Sequence, residues 1–186
     1  MNRRSLFNKN LFLFAASALM AVGAFAKNPI VGGQEMFPNK NIIQNAVNSA
    51  DHTTLVAAVK AAGMVVTIQG PGPFTVFAPV NAAFAKLPAG TVDTLLKPEN
   101  KAALSKILTY HVVAGKMTSV DLKKAIKAGK GTAALTTVSG GKLWAMMQGN
   151  MIVLKDEKGG MSHVTQANVM QSNGVIHVVD TLVMPN

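Results

Sequence analysis

The chain has 186 residues and a formal net charge of +10, and it contains no cysteine. Its length suits one hydrophobic core, even after removal of an N-terminal leader. Because there is no cysteine, thiol catalysis, disulfides and cysteine-ligated metal sites are excluded, and the fold must depend on apolar burial.

The first 26 residues have the pattern of a signal peptide, which we expect to be cleaved. Arg3, Arg4 and Lys9 precede an apolar stretch of 16 residues, and Ala24-Phe25-Ala26 fits a small-x-small cleavage site. That stretch is shorter than the ~20 residues that span a bilayer, which favours cleavage over a retained anchor. The paired arginines are also compatible with a twin-arginine signal, but no feature of the remaining chain suggests a cofactor loaded in the cytoplasm. We expect export to the periplasm or the extracellular space, with no transmembrane segment after cleavage.

The basic charge beyond the leader comes entirely from lysine. From Lys27 onward there are 15 lysines and no arginine, against eight acidic residues. Arginine makes the bidentate contacts that read base edges, so its absence argues against sequence-specific binding of nucleic acid. A lysine-rich surface favours anionic partners such as acidic polysaccharides or anionic lipid head groups.

Residues 27–40 are rich in Gly, Pro and Asn and predict an extended lead-in to a single domain over 41–186. A short helix is predicted over 41–47. A longer helix follows, which Asp51 or Thr53 caps and Gly63 ends. The residues from Phe74 to Ala78 alternate as in a strand buried on both faces, which Pro79 should end.

The segment after Pro79 predicts the start of a helix. Asn81 could accept hydrogen bonds from the first N–H groups, and Phe84 would then face the core. Further helices are predicted over 91–96, 99–109 and 119–127. Strands follow over 134–138, 142–148, 151–155, 162–169 and 175–183. Helices first and strands afterwards predict an α+β domain with a mainly antiparallel sheet.

Three segments in this order resemble the signature segments of the fasciclin domain family. They are Gly72–Phe84, Ile107–Gly115 with its Tyr-His pair, and Ser172–Pro185. The matching residues are Phe74, Thr75, Phe77, Ala78, Pro79, Asn81, Phe84, Tyr110, His111, Asn173, Gly174, His177 and Asp180. Val66 and Val80 depart from the pattern, since an acidic and a small polar residue are common there.

The resemblance covers roughly residues 41–185 and implies a fasciclin-type α+β domain with N-terminal helices packed on the sheet. The chain is similar in particular to small secreted bacterial members of the family. It implies a non-catalytic adhesion or interaction module that binds a protein or an acidic surface glycan. In the family the Tyr110-His111 pair is associated with structural integrity and, in animal members, with adhesion.

The densest charge beyond the leader is the cluster of Lys116, Lys123, Lys124, Lys127 and Lys130. Such a cluster is typical of a solvated helix face. The alternative is an electrostatic patch for acidic polysaccharide or anionic lipid.

No cofactor, metal or catalytic site is predicted. The four histidines lack metal-ligand spacing, and the methionines of the strand region indicate adaptable core filling more than a Cu(I) site. Nucleophile-elbow and phosphate-loop motifs are absent, so a hydrolase is the weakest alternative. A stronger one is a carrier of a small apolar or lipidic ligand, because Trp144 lies beside Met146 and Met147.

Overall fold

The computed structural model describes residues 27–186, so the predicted signal peptide lies outside the described residues. The helices are α1 (Ile42–Ala46), α2 (Thr53–Ala61), α3 (Val65–Gln69), α4 (Asn81–Ala85), α5 (Thr91–Leu96), α6 (Lys101–Tyr110) and α7 (Ser119–Ala128). The strands are β1 (Ile30–Val31), β2 (Gln34–Glu35), β3 (Phe74–Pro79), β4 (Val112–Ala114), β5 (Thr132–Thr136), β6 (Lys142–Gln148), β7 (Met151–Lys155), β8 (Met161–Gln171) and β9 (Gly174–Val179). Within residues 27–186, none of the helices combines the length and apolarity needed to cross a bilayer.

Strands β3 to β9 form one seven-stranded sheet in the order β4-β3-β9-β8-β7-β6-β5. Only the β3–β9 pair of this sheet is parallel, and its other neighbouring strands are antiparallel. An isolated bridge between Val113 and Thr137 joins the two ends of the sheet, so the sheet curls back on itself. The predicted α+β class with a mainly antiparallel sheet is confirmed.

Strand β3 separates two hydrophobic cores because successive side chains of a strand point to opposite faces. Val76 and Ala78 face the first core, together with apolar residues of α1, α2, α3 and α6. Phe77 faces the second core, which Leu122 and Ile126 of α7 fill on the other side of the sheet. The strand is therefore buried on both faces, as its sequence predicts.

Two glycines permit the close approach of β3 to β9. A methyl group on Gly174 would lie 2.1 Å from the carbonyl oxygen of Phe74, and one on Gly72 would lie 2.2 Å from that of Asn173. Gly72 also has a φ of +60°, which side chains disfavour. Any side chain at either position would push the two central strands apart.

The prediction that Asn81 caps its own helix is wrong. Helix α4 begins at Asn81, so the cap position falls on Val80, whose side chain makes no capping hydrogen bond. The Asn81 amide oxygen instead accepts from the N–H of Thr54 at 3.0 Å, and its amide nitrogen donates to the carbonyl of Ala50 at 2.8 Å. Asn81 thus caps α2 from a distance, in place of the predicted cap, Asp51 or Thr53.

Three chain segments differ clearly from their predicted form or bounds, and one of them is β5, which spans Thr132–Thr136 rather than 134–138. Residues 27–40, predicted as extended, contain the β1–β2 hairpin and bury Val31 and Met36 in the first core. Strand β9 ends at Val179 rather than continuing to Val183. At this point the Asp180 side chain takes the place of a strand carbonyl, since its carboxylate accepts the N–H of His163 at 2.9 Å.

We predict that Asn81→Ala destabilises the protein by about 1–2 kcal/mol, because it removes the cap of α2 and the bond to Ala50. Urea denaturation measures the free energy of unfolding. The matched control is Gln69→Ala, which removes an exposed amide from α3 and should change stability by less than about 0.5 kcal/mol. Equal effects of the two substitutions would contradict the distant cap.

Candidate functional site: a lysine face and an open groove

Helix α7 gathers three of the predicted patch residues on its outer side. Lys123, Lys124 and Lys127 are exposed and lie three and four positions apart, which places neighbouring side chains on one helix surface. Lys116 and Lys130 are also exposed and flank the two ends of the helix. We call these five residues the lysine face. Among residues 27–186, none of the five lies within 4.0 Å of a carboxylate.

Asp121, the acidic residue nearest in sequence to these lysines, is hydrogen-bonded at the N-terminus of α7. Asp121 accepts hydrogen bonds from the N–H and hydroxyl of Thr118 at 2.9 and 2.7 Å, in a capping box. These bonds lower the pKa of the Asp121 carboxyl. The carboxylate therefore serves the helix N-terminus, and the lysines remain open to a partner.

A second feature is an open groove of about 560 Å³ on the outer side of β5, β6 and β7. We call it the Trp144 groove. Its lining residues are Thr132, Trp144, Met146, Lys155, Asp156, Glu157, Lys158 and Gly159. Trp144 and Met146 point outward from β6, while Leu143 and Ala145, which alternate with them, point into the second core. Of the lysine face, only Lys130 comes near the groove, since it precedes the lining residue Thr132 by two positions.

Both carboxylates of the groove are directed at backbone N–H groups. Asp156 accepts from Lys158, Gly160 and Met184 at 3.0, 2.6 and 2.9 Å. Glu157 accepts from Lys142 at 2.7 Å and from Asn186 at 3.0 Å, and these bonds lower the pKa of its carboxyl.

The Tyr110-His111 pair lies at the junction of α6 and β4 and is buried. The Tyr110 hydroxyl donates to the carbonyl of Lys142 at 2.5 Å and accepts from the N–H of Glu157 at 3.2 Å. Burial raises the pKa of this hydroxyl to about 12, so it remains a donor. The pair therefore faces the interior and is not available to a partner.

The His111 ring is held by two backbone groups. Its Nδ1 donates to the carbonyl of Ile107 at 2.9 Å, and its Nε2 accepts from the N–H of Val183 at 3.2 Å. Burial lowers the pKa of His111 to about 4, so the imidazole is neutral at pH 7.

His177 and Thr75 hold the segment before α7 against the central strands. His177 is fully buried, stacks on Phe77 with ring centroids 5.7 Å apart, and donates from Nε2 to the carbonyl of Met117 at 2.8 Å. The Thr75 hydroxyl donates to Gly115 at 2.6 Å and accepts from the N–H of Met117 at 2.9 Å.

The remaining signature residues also contact the scaffold. The Asn173 amide accepts from the N–H of Ile42 and donates to the carbonyls of Ile68 and Gly70, all within 3.1 Å. Phe84 is buried in the first core, and the half-buried Phe74 side chain packs against that core. Asp180 lies near the surface beside His163 and Lys86, at 3.2 and 3.7 Å.

The apolar cavities of the helical core are small. Three of them, lined by residues such as Leu55, Val76 and Ile68, measure about 30, 30 and 20 Å³. Each has room for roughly one or two water molecules, whereas small-molecule pockets measure about 300–1,000 Å³. These cavities do not support a carrier of apolar ligands.

A family model for the fasciclin domain matches residues 50–185. The chain belongs to the fasciclin domain family. The resemblance of the three signature segments is thereby confirmed. The fasciclin fold is also found by structural comparison with a fasciclin domain pair from the insect cell adhesion molecule fasciclin I, with a TM-score of 0.68. That match has 18% identity and covers 78% of this chain and 51% of the insect chain, so it supports the fold alone.

The chain is also similar to two bacterial proteins. It is 47% identical over 145 residues to protein sll1483 of Synechocystis sp., covering 77% of this chain and 73% of the relative. It is 37% identical over 145 residues to immunogenic protein MPB70 of Mycobacterium bovis, covering 75% of this chain and 66% of the relative.

Sequence reasoning located the lysines of the face but missed the groove walls. From its sequence, the segment 156–160 predicts only a hairpin connection. The N–H groups that bond to its carboxylates include those of distant residues such as Met184. In the sequence Trp144 stands out only by its methionine neighbours, and Lys155 becomes its cross-strand partner only through the β6–β7 register.

We predict that Tyr110→Phe lowers the free energy of unfolding by about 1–2 kcal/mol, because the hydroxyl joins α6 to two segments of the sheet. Urea denaturation at pH 7 gives the value. Binding to an anionic matrix should be unchanged, since the hydroxyl is buried. Loss of binding by a folded Tyr110→Phe protein would contradict a purely structural role.

Stability should fall on mild acidification. The pKa of His111 is about 4 in the folded protein and near 6.5 when unfolded, so the unfolded chain takes up protons first as the pH drops. Proton uptake at His111 alone then lowers the free energy of unfolding by about 2 kcal/mol between pH 7 and pH 5. Burial also lowers the pKa of His52 and His177, which act in the same direction.

Urea denaturation at pH 7 and pH 5 tests this pH dependence, and NMR titration of the His111 ring gives an independent midpoint. An unfolding free energy that is unchanged or larger at pH 5, or a ring midpoint near 6.5, would contradict the assignment.

Proposed function

We propose that this protein is an exported, non-catalytic adhesion or interaction module that binds an acidic polysaccharide through the lysine face. Family membership supports the adhesion role, since the fasciclin domain occurs in a cell adhesion molecule. The N-terminal signal pattern supports export, to the periplasm or the extracellular space.

The observation that carries the proposal is the set of exposed lysines on and beside α7. The helix buries Leu122 and Ile126, so its outer side is free to carry charge. The five ammonium groups form no ion pairs with the described carboxylates, so a partner anion need not displace an internal one. A row of point charges suits a flexible polyanion, because lysine makes few geometric demands on its anion.

Two other partner classes are less well supported. Anionic lipid would be attracted by the same charges, but Val120 is the one large apolar residue exposed on α7, so the helix offers no apolar stripe for insertion. An acidic protein surface remains compatible with the lysine face, and competition between such a protein and the polysaccharide would separate the two.

We predict that the triple variant K123Q/K124Q/K127Q elutes from a polygalacturonate matrix at lower salt than the unmodified chain. Each lysine near an anionic surface contributes up to about 1 kcal/mol, so affinity should fall roughly tenfold or more. Elution in a sodium chloride gradient is the measurement, because such contacts weaken as salt screens them.

The matched control is K60Q/K97Q/K101Q, which removes the same charge from exposed lysines elsewhere. It should elute close to the unmodified chain. If both triple variants elute equally early, net charge rather than the lysine face governs binding, and the proposal fails.

A further inference from the structure

We propose that the Trp144 groove binds one uronate ring of the acidic polysaccharide, with the sugar stacked on Trp144 and its carboxylate held by Lys155 and Lys158. This inference rests on the proposed function and adds a defined subsite to it. It follows from the shape, floor and charges of the groove.

The groove is large enough for a small ring. Its volume of about 560 Å³ falls within the range of ligand sites, unlike the apolar cavities of the core. It is open along one side, so a polymer could enter without any movement of the backbone. Lys130 lies two residues before the lining residue Thr132, so it can contact the same polymer beyond the groove.

The floor of the groove is apolar and aromatic. Trp144 is partly exposed on β6, with the thioether of Met146 two residues along the same face. The face of an indole ring is electron-rich and attracts the weakly positive C–H edge of another group. A pyranose ring presents such C–H groups on one face, which a flexible peptide does not do over the same area.

The rim of the groove supplies the charge. Lys155 lies directly opposite Trp144 in the β6–β7 register, so its side chain starts roughly 5 Å from that of Trp144. Lys158 lies on the following turn. Both lysines are exposed, and neither has a described carboxylate within 4.0 Å.

The two acidic residues of the rim do not cancel these charges by pairing with them. The carboxylate oxygens of Asp156 and Glu157 accept hydrogen bonds from five backbone N–H groups in total. An aromatic floor beside two unpaired ammonium groups matches a ring with an apolar face and an acidic substituent. A uronic acid has both, whereas a neutral hexose lacks the acid.

Trp144 is the only tryptophan of the sequence, so its fluorescence reports occupation of the groove directly. The full chain is titrated with hexagalacturonate and, separately, with uncharged maltohexaose. Binding to the chain as a whole is followed independently by the anisotropy of a fluorescently labelled hexagalacturonate. We expect hexagalacturonate to change the tryptophan emission and maltohexaose to leave it unchanged.

Two charge-matched sets of variants separate the groove from the lysine face. K155Q/K158Q should weaken the emission response roughly tenfold or more, since both exposed ammonium groups of the rim are lost. K123Q/K124Q should weaken the anisotropy response yet keep an emission change at higher ligand concentration. Both variants alter exposed side chains only, so circular dichroism should match the unmodified chain.

Each contrary result has a distinct meaning. If the labelled hexamer binds but tryptophan emission does not change, the groove is empty and the lysine face alone binds. If maltohexaose changes the emission equally, the acidic preference is wrong. If the labelled hexamer does not bind at all, the proposed function and the groove both fail.

Discussion

The structure depends on the parallel pairing of β3 with β9. This pair lies between two cores, and its backbone groups must find partners because water does not reach them. Gly174 lets the two strands approach at their start, and the buried Asn173 amide fastens the same point to α1 and α3. His177 then stacks on Phe77 across the pair. All four residues lie in the segments that resemble the family signature, and all four contact the central pair or its ends.

This constraint separates the scaffold from the binding surface. A residue buried at the central pair cannot contact a partner without unfolding, so the signature residues buried there support the fold and do not contact a ligand. The elements farther from the pair bury only one side. Helix α7 and strand β6 each place apolar residues in the second core and leave the other side open, where charge and an aromatic ring can be carried at little cost to stability.

Much of the fold could be predicted because its signals are local. Thr91–Leu96, Lys142–Gln148 and Met151–Lys155 have the predicted bounds, since propensity and turn residues fix them. The role of Asn81 could not be predicted, because its partner Thr54 lies 27 residues away in sequence. The lysine face followed from helical spacing, whereas the groove required a strand register and a turn conformation that no local pattern specifies.

Native-state hydrogen exchange tests most directly whether the β3–β9 pair holds the molecule together. Amides of β3 and β9 should exchange only through complete unfolding, with a free energy equal to that from urea denaturation. Amides of α7 that face solvent should exchange through smaller openings. If β3 and β9 exchange at a clearly lower free energy than the helices of the first core, the central pair is not the element on which the fold depends.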